Sequence, residues 1–179
     1  MQFLELLKDS LPSLTSGLLV TIKISIISII IAVILGIVFG IFSISKNKIL
    51  KTLYIIYLYI IRGTPLMVQA LIIYFGIAPL IVERSNPMYC AIIALALNAG
   101  AYMSEIFRAG IQAVDVGQME ASRSLGLGYL KTMQKVILPQ AIKVMIPSII
   151  NQFIVTIKDT SILTVITIRE LTASGQIIV

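Results

Sequence analysis

GQMEASRSLGLGYLKTMQKVILP, residues 117–139, decides the fold, because it is polar and glycine-punctuated in a chain that is otherwise mostly apolar. Lipid cannot hold such a segment, so it lies in water between hydrophobic spans. MEASRSL, residues 119–125, has good helix formers for about two turns. Gly126 and Gly128 then stop the helix, since glycine readily takes the left-handed cap conformation. Glu120 suits the positive end of the helix dipole. A second helix starts near Tyr129 and runs through Leu138 and Pro139 into the next span. A push on the short helix therefore reaches the membrane directly. On these residues alone two readings are open. Met119, Ala121, Leu125 and Leu127 enter a partner's groove, or the helix is amphipathic and rests on headgroups.

Around this segment the composition is that of a membrane protein. Apolar residues make up 58% of the 179 and the mean hydropathy is +1.02, against roughly 45–50% apolar in a soluble domain. The net charge of +6 collects in short segments between apolar runs, which is the positive-inside pattern and not a nucleic-acid surface. The single cysteine, Cys90, lies in an apolar run and reads as a small buried residue. There is no His, no metal cluster and no clear nucleophile–base pair, so neither a metal site nor catalytic residues are expected. MQFLELLKDSLPSL, residues 1–14, lacks a basic start, and the apolar run after it is too long for a cleaved leader.

Four spans are expected, at about residues 18–44, 52–80, 88–107 and 136–157, each at least as long as the roughly 20 apolar residues that cross a bilayer. In the first, Gly36 and Gly40 with Ala32 one turn earlier form a small-residue ridge, which serves packing within the chain or pairing between subunits. The loop with Lys46, Lys48 and Lys51 and the segment 108–135 are both basic and face the cytoplasm. Residues 1–14 then form an extracytoplasmic N-terminal segment. RGTP interrupts the second span. Pro65 removes a donor and frees the carbonyl of Ile61. Arg62 there either lines a watery cavity or gate, or sits at an interface below a helix that begins at Thr64. Glu105 and Arg108, three apart on one face, either pair structurally or contact a substrate. Residues 158–179 are broken by Arg169 and Glu170, and a short or re-entrant helix followed by the beginning of another element is expected.

The central segment resembles the EAA loop of bacterial ABC importer permeases: Glu-Ala-Ala, three residues, Gly, nine residues, then Ile-x-Leu-Pro. Here Glu120-Ala121-Ser122 is followed by Gly126 and by Val136-Ile137-Leu138-Pro139 at that spacing, with Ser122 and Val136 as small departures. Residues 62–77, 100–121, 137–141 and 151–163 are similar to the polar amino-acid uptake branch, the histidine-, glutamine- and arginine-type permeases. The resemblance implies an all-α, polytopic helix bundle of the type I importer permease kind in a bacterial plasma membrane, with residues 15–179 as its transmembrane domain.

It further implies a transport subunit, not an enzyme. Two permeases, the same or siblings, pair above two ABC ATPase subunits, and an extracytoplasmic solute-binding protein delivers an amino acid. The chain binds no cofactor itself; ATP and Mg belong to the partner ATPase, and no phosphate loop is present here. Gly117, Glu120, Ala121, Ser122, Leu125, Gly126, Leu138 and Pro139 take the ATPase-coupling role. Family members continue past an ELTASGQ-like stretch with another span and a short tail, whereas this chain ends at Val179. The expectation is a fragment or a subunit lacking its last span, the alternative being a non-transporting scaffold that keeps the docking helix.

A zwitterionic substrate needs groups of both signs. Lys158 and Asp159 offer them side by side, and Arg62, Pro65, Glu105 and Asn151 complete the candidate pathway or gate. Asn98 and Gln152 are further polar groups near the membrane. A structural Lys158–Asp159 or Arg62–Asp159 pair is the other reading.

Overall fold

A computed structural model describes the backbone of residues 2–177 and the side chains of residues 8–177. Residue 1 of the N-terminal segment and residues 178–179 of the last one lie outside the described residues. Among the described residues the chain is helical and has no strands.

Helix α1 (Gln2–Ile44) is one 43-residue rod. The segment 1–14 and the span 18–44 are therefore continuous from Gln2, and Pro12 sits inside the helix. Small residues set its buried stripe: Thr21, Ser25, Ser28, Ala32 and Ser43 are all buried, as are Gly36 and Gly40. They recur every three or four positions, which is one helical face. The stripe packs on α5 (Pro87–Gln112), the most enclosed helix of the bundle. A Cβ on Gly36 would stand 2.5 Å from Cβ of Met103, and one on Gly100 2.9 Å from Cβ of Leu35. The glycine ridge is thus used inside the chain, where it lets two backbones approach.

The second span is two helices and not one. Helix α2 (Lys48–Arg62) and the helical run Leu66–Ile81 meet at 100°. Pro65 cannot donate, and its ring crowds the preceding turn, so the helix breaks at Gly63–Pro65. The bend is satisfied by a side chain. Nε2 of Gln69 donates to the carbonyl of Ile61 at 2.6 Å and to that of Thr64 at 2.9 Å. Gln69 in turn accepts from Nδ2 of Asn98 on α5 at 3.3 Å.

Prolines also mark two wider turns. The run Leu66–Ile81 comprises α3 (Leu66–Leu71), a π turn at Ile72–Ile77 and α4 (Ala78–Ile81). After α6 (Val116–Ser124) comes α7 (Tyr129–Thr132), a π turn at Met133–Ile137 and α8 (Leu138–Asp159). In each case the residue before the proline, Ala78 or Leu138, donates five residues back, to Ile73 or Met133. One widened turn accommodates Pro79 and Pro139 without ending the rod.

The chain closes on itself at its end. A 3₁₀ turn, Thr160–Ile166, buries Leu163 and Ile166 completely. Thr167, at φ 66°, reverses direction. The short helix α9 (Leu171–Gln176), capped by the buried Glu170, returns to α1, where its first amide, Leu171, donates to Oγ1 of Thr21 at 3.1 Å. Among the described residues, three helical runs are long and apolar enough to cross a membrane: Lys8–Ile44, Pro87–Gln112 and Tyr129–Ile166. The bent pair makes a fourth if it counts as one span.

Candidate coupling helix and transport cleft

Helix α6 is fixed at both ends. Its N-cap is Asp115, whose Oδ1 accepts from the amide of Gly117 at 2.6 Å. At the other end Gly126, with φ +82°, donates to Arg123 at 3.0 Å, and Leu127 donates to Ser122 at 3.2 Å. These two bonds make a Schellman cap. Gly128 instead has φ −68° and caps the start of α7. The helix spans 116–124 and not 119–125, because Asp115 starts it one turn earlier.

One face of α6 is held and one is offered. Ser122 is buried and its hydroxyl donates to the carbonyl of Gln118. Gln118 accepts from Nε2 of Gln140 at 3.4 Å, which ties α6 to the first turn of α8. Glu120 and Ala121 are exposed, as are Val116 and Leu125 (70% and 83%). Met119 and Leu127 are half-buried. Leu138 is half-buried and Pro139 exposed, on the rod that α6 abuts. The sequence alone does not single out Asp115, Val116, Gln118 or Gln140. The Asp before Val-Gly is the one visible cue, as an N-cap residue.

A cleft of about 680 Å³ lies along α5 and α8, lined among others by Arg62, Pro65, Asn98, Tyr102, Asn151, Gln152 and Asp159. The fold thus gathers four of the candidate pathway residues, Arg62, Pro65, Asn151 and Asp159, with Asn98 and Gln152 beside them. Glu105 lies on the other side of Arg62, in a neighbouring cleft of about 630 Å³. Lys158 is exposed and outside both linings. Adjacent helical residues do not face each other. Among the described residues neither Lys158 nor Arg62 forms an ion pair with Asp159; Arg62 goes to Glu105.

Glu105 is the hub of the charged groups. Arg108 grips it with two nitrogens, Nε at 2.9 Å and Nη2 at 3.1 Å, and the Tyr54 hydroxyl donates to the same carboxylate. Nη1 of Arg62 reaches it at 3.5 Å, and the Arg62 guanidinium lies 5.1 Å from the centre of the Tyr102 ring. Tyr54 and Tyr102 carry no signal in the sequence, where they read as apolar-run aromatics. Three-dimensional proximity alone brings them to Arg62 and Glu105.

Residues 32–178 match the family described as binding-protein-dependent transport system inner membrane component. The chain is 37% identical to the nopaline transport system permease protein NocM of Agrobacterium fabrum (98% of this chain, 77% of that protein). It is 42% identical to the arginine transport system permease protein ArtQ of Bacillus subtilis (87% and 71%). A solved structure described as an amino acid ABC transporter with histidines superposes with a TM-score of 0.91 at 41% identity, over 99% of this chain and 82% of that one. The chain belongs to the binding-protein-dependent transport system inner membrane component family.

Proposed function

We propose that this chain is the permease subunit of an ATP-driven amino-acid importer and that α6 is the helix through which a separate ATPase moves it. The observation that carries this reading is mechanical. Gln140, which holds α6, and Asn151, which lines the cleft, stand on the same helix, eleven positions or about 16 Å apart. Between them α8 is a continuous helix with Pro147 inside it, so movement of α6 is carried along one helix to the cleft wall. The capped, exposed face around Glu120 is the docking surface, and the π turn at Met133–Ile137 keeps the rod unbroken past Pro139. Family membership and the relatives' names support the amino-acid substrate; a solute-binding protein outside and a second permease complete the assembly.

In this reading the loop with Lys46, Lys48 and Lys51 and the basic segment 108–135 face the cytoplasm and the N-terminus lies outside. The Asn98–Asp159 cleft is then near the middle of the bilayer, since Asn98 is about 16 Å along α5 from its start. Asp159 suits a substrate ammonium and Arg62 its carboxylate. Selectivity rests largely on the binding protein. Reconstitution with the ATPase and binding protein tests the function through ATP-dependent uptake of radiolabelled arginine, glutamine or cystine. Assembly with the ATPase but no uptake of any of them would reject transport and leave a scaffold.

A further inference from the structure

The two clefts along α5 share one side chain. The first is lined by Lys51, Tyr54, Glu105, Arg108 and Gln112, toward the end of α5 that leads into α6; the second contains Asn98, Asn151 and Asp159. Arg62 and Gly63 are common to both linings. Gly63 has no side chain, and the Arg62 guanidinium reaches one residue of each cleft, Glu105 of the first and the Tyr102 ring of the second.

Its attachments are unequal. Glu105 is held by Arg108 at 2.9 and 3.1 Å and by Tyr54, so the carboxylate is fixed in place and turned toward Arg108. Arg62 has a single contact to it, at 3.5 Å, against roughly 2.7–2.9 Å for a good charge-assisted bond. On the other flank it meets the face of Tyr102, which belongs to the second cleft. A carboxylate arriving in the second cleft can take the guanidinium with two parallel bonds, a stronger arrangement than the one it leaves.

We propose that Arg62 is the partition between the two clefts, and that a free carboxylate in the Asn98–Asp159 cleft draws its guanidinium off Glu105 and opens the way through. The proposal rests on the reading that this cleft lies on the transport path. It makes a free carboxylate the chemical requirement for passage, and it makes Glu105 a positioning residue that sets how loosely Arg62 is held.

The test uses the full complex with ATPase and binding protein in proteoliposomes. Cys90, buried and outside both linings, is replaced by Ser. A reporter thiol is placed in the second cleft by Val155→Cys and, separately, in the first by Leu58→Cys. A membrane-impermeant thiol reagent is applied from the ATPase side. The Leu58→Cys reporter is expected to react at once and the Val155→Cys reporter slowly. Arg62→Ala, and independently Glu105→Gln, should speed the Val155→Cys reaction several-fold without added ligand. Arginine or glutamine should speed it in the Arg62 background, and their α-carboxamides should not.

Equal rates with and without Arg62→Ala, in complexes that still co-purify with the ATPase, would overturn the partition. Equal stimulation by the amides would overturn the carboxylate trigger. If Arg62→Ala fails to assemble, Glu105→Gln decides the same question by the same rates. Absence of uptake by the unsubstituted complex would instead reject the transport reading, so the two failures are distinct.

Discussion

Gly126→Ala isolates the cap of α6 from everything around it. Nothing lies within 4 Å of a Cβ built on Gly126, so the substitution meets no neighbour. The cost comes from the backbone, whose φ of +82° an L-residue adopts at about 1–2 kcal/mol. That cost falls on the two bonds closing the helix, Gly126 to Arg123 and Leu127 to Ser122. An energy of this size changes an equilibrium by a factor of roughly 5–30. Hydrogen exchange at the amides of residues 126 and 127 should accelerate by that factor in the purified complex, and coupled uptake should fall. Gly126→Val should do more, since a β-branched residue resists positive φ, and Gly126→Asn less. Gly128→Ala is the control: its Cβ is equally unobstructed, but its φ is −68°, so exchange and uptake should stay at the wild-type level. Unchanged exchange in Gly126→Ala, or equal damage from Gly128→Ala, would refute the cap as the reason for the glycine.

Glu120→Lys reverses charge on an exposed turn and should leave the permease's melting temperature unchanged while abolishing binding-protein-stimulated ATP hydrolysis and uptake; normal coupling would remove α6 from the docking role. Gly36→Ala drives a Cβ to 2.5 Å from Cβ of Met103, which has no flexible end to swing away, so α1 and α5 must part at about 1–3 kcal/mol. Thermal denaturation should report that loss, with Gly175→Ala, where nothing lies within 4 Å, as the silent comparison. Gln69→Leu strips the donor from the Ile61 carbonyl at the bend and should cost about 1–3 kcal/mol for an unsatisfied buried group, also read from the melting temperature. A variant as stable as wild type would mean that water replaces the amide there.

Much of the architecture was legible because membrane helices obey few rules. Length and apolarity marked the runs, RGTP marked the break, and Pro65 pointed to the orphaned Ile61 carbonyl. Three features were not legible, each for a physical reason. The span rule gives the minimum length of a helix and not its maximum, so α1 continuing back to Gln2 left no trace in hydropathy. Gly126 and Gly128 have the same residue type and nearly the same place, and only the backbone separates a left-handed cap from an ordinary one. Gln69 reads as a stray polar residue in an apolar run until the 100° bend brings the Ile61 carbonyl within 2.6 Å.

The charged residues carry the same lesson further. Sequence spacing pairs Glu105 with Arg108 but says nothing about Arg62, which comes from another helix. Pairing Arg62 with Asp159 was chemically as reasonable as pairing it with Glu105. The bend decides between them: Gln69 and Asn98 hold the end of α2 against α5, and this places Arg62 beside Glu105 while Asp159 remains across the cleft. The proline break therefore does more than interrupt a span. It sets which carboxylate holds the arginine, and among the described residues Asp159 forms no ion pair.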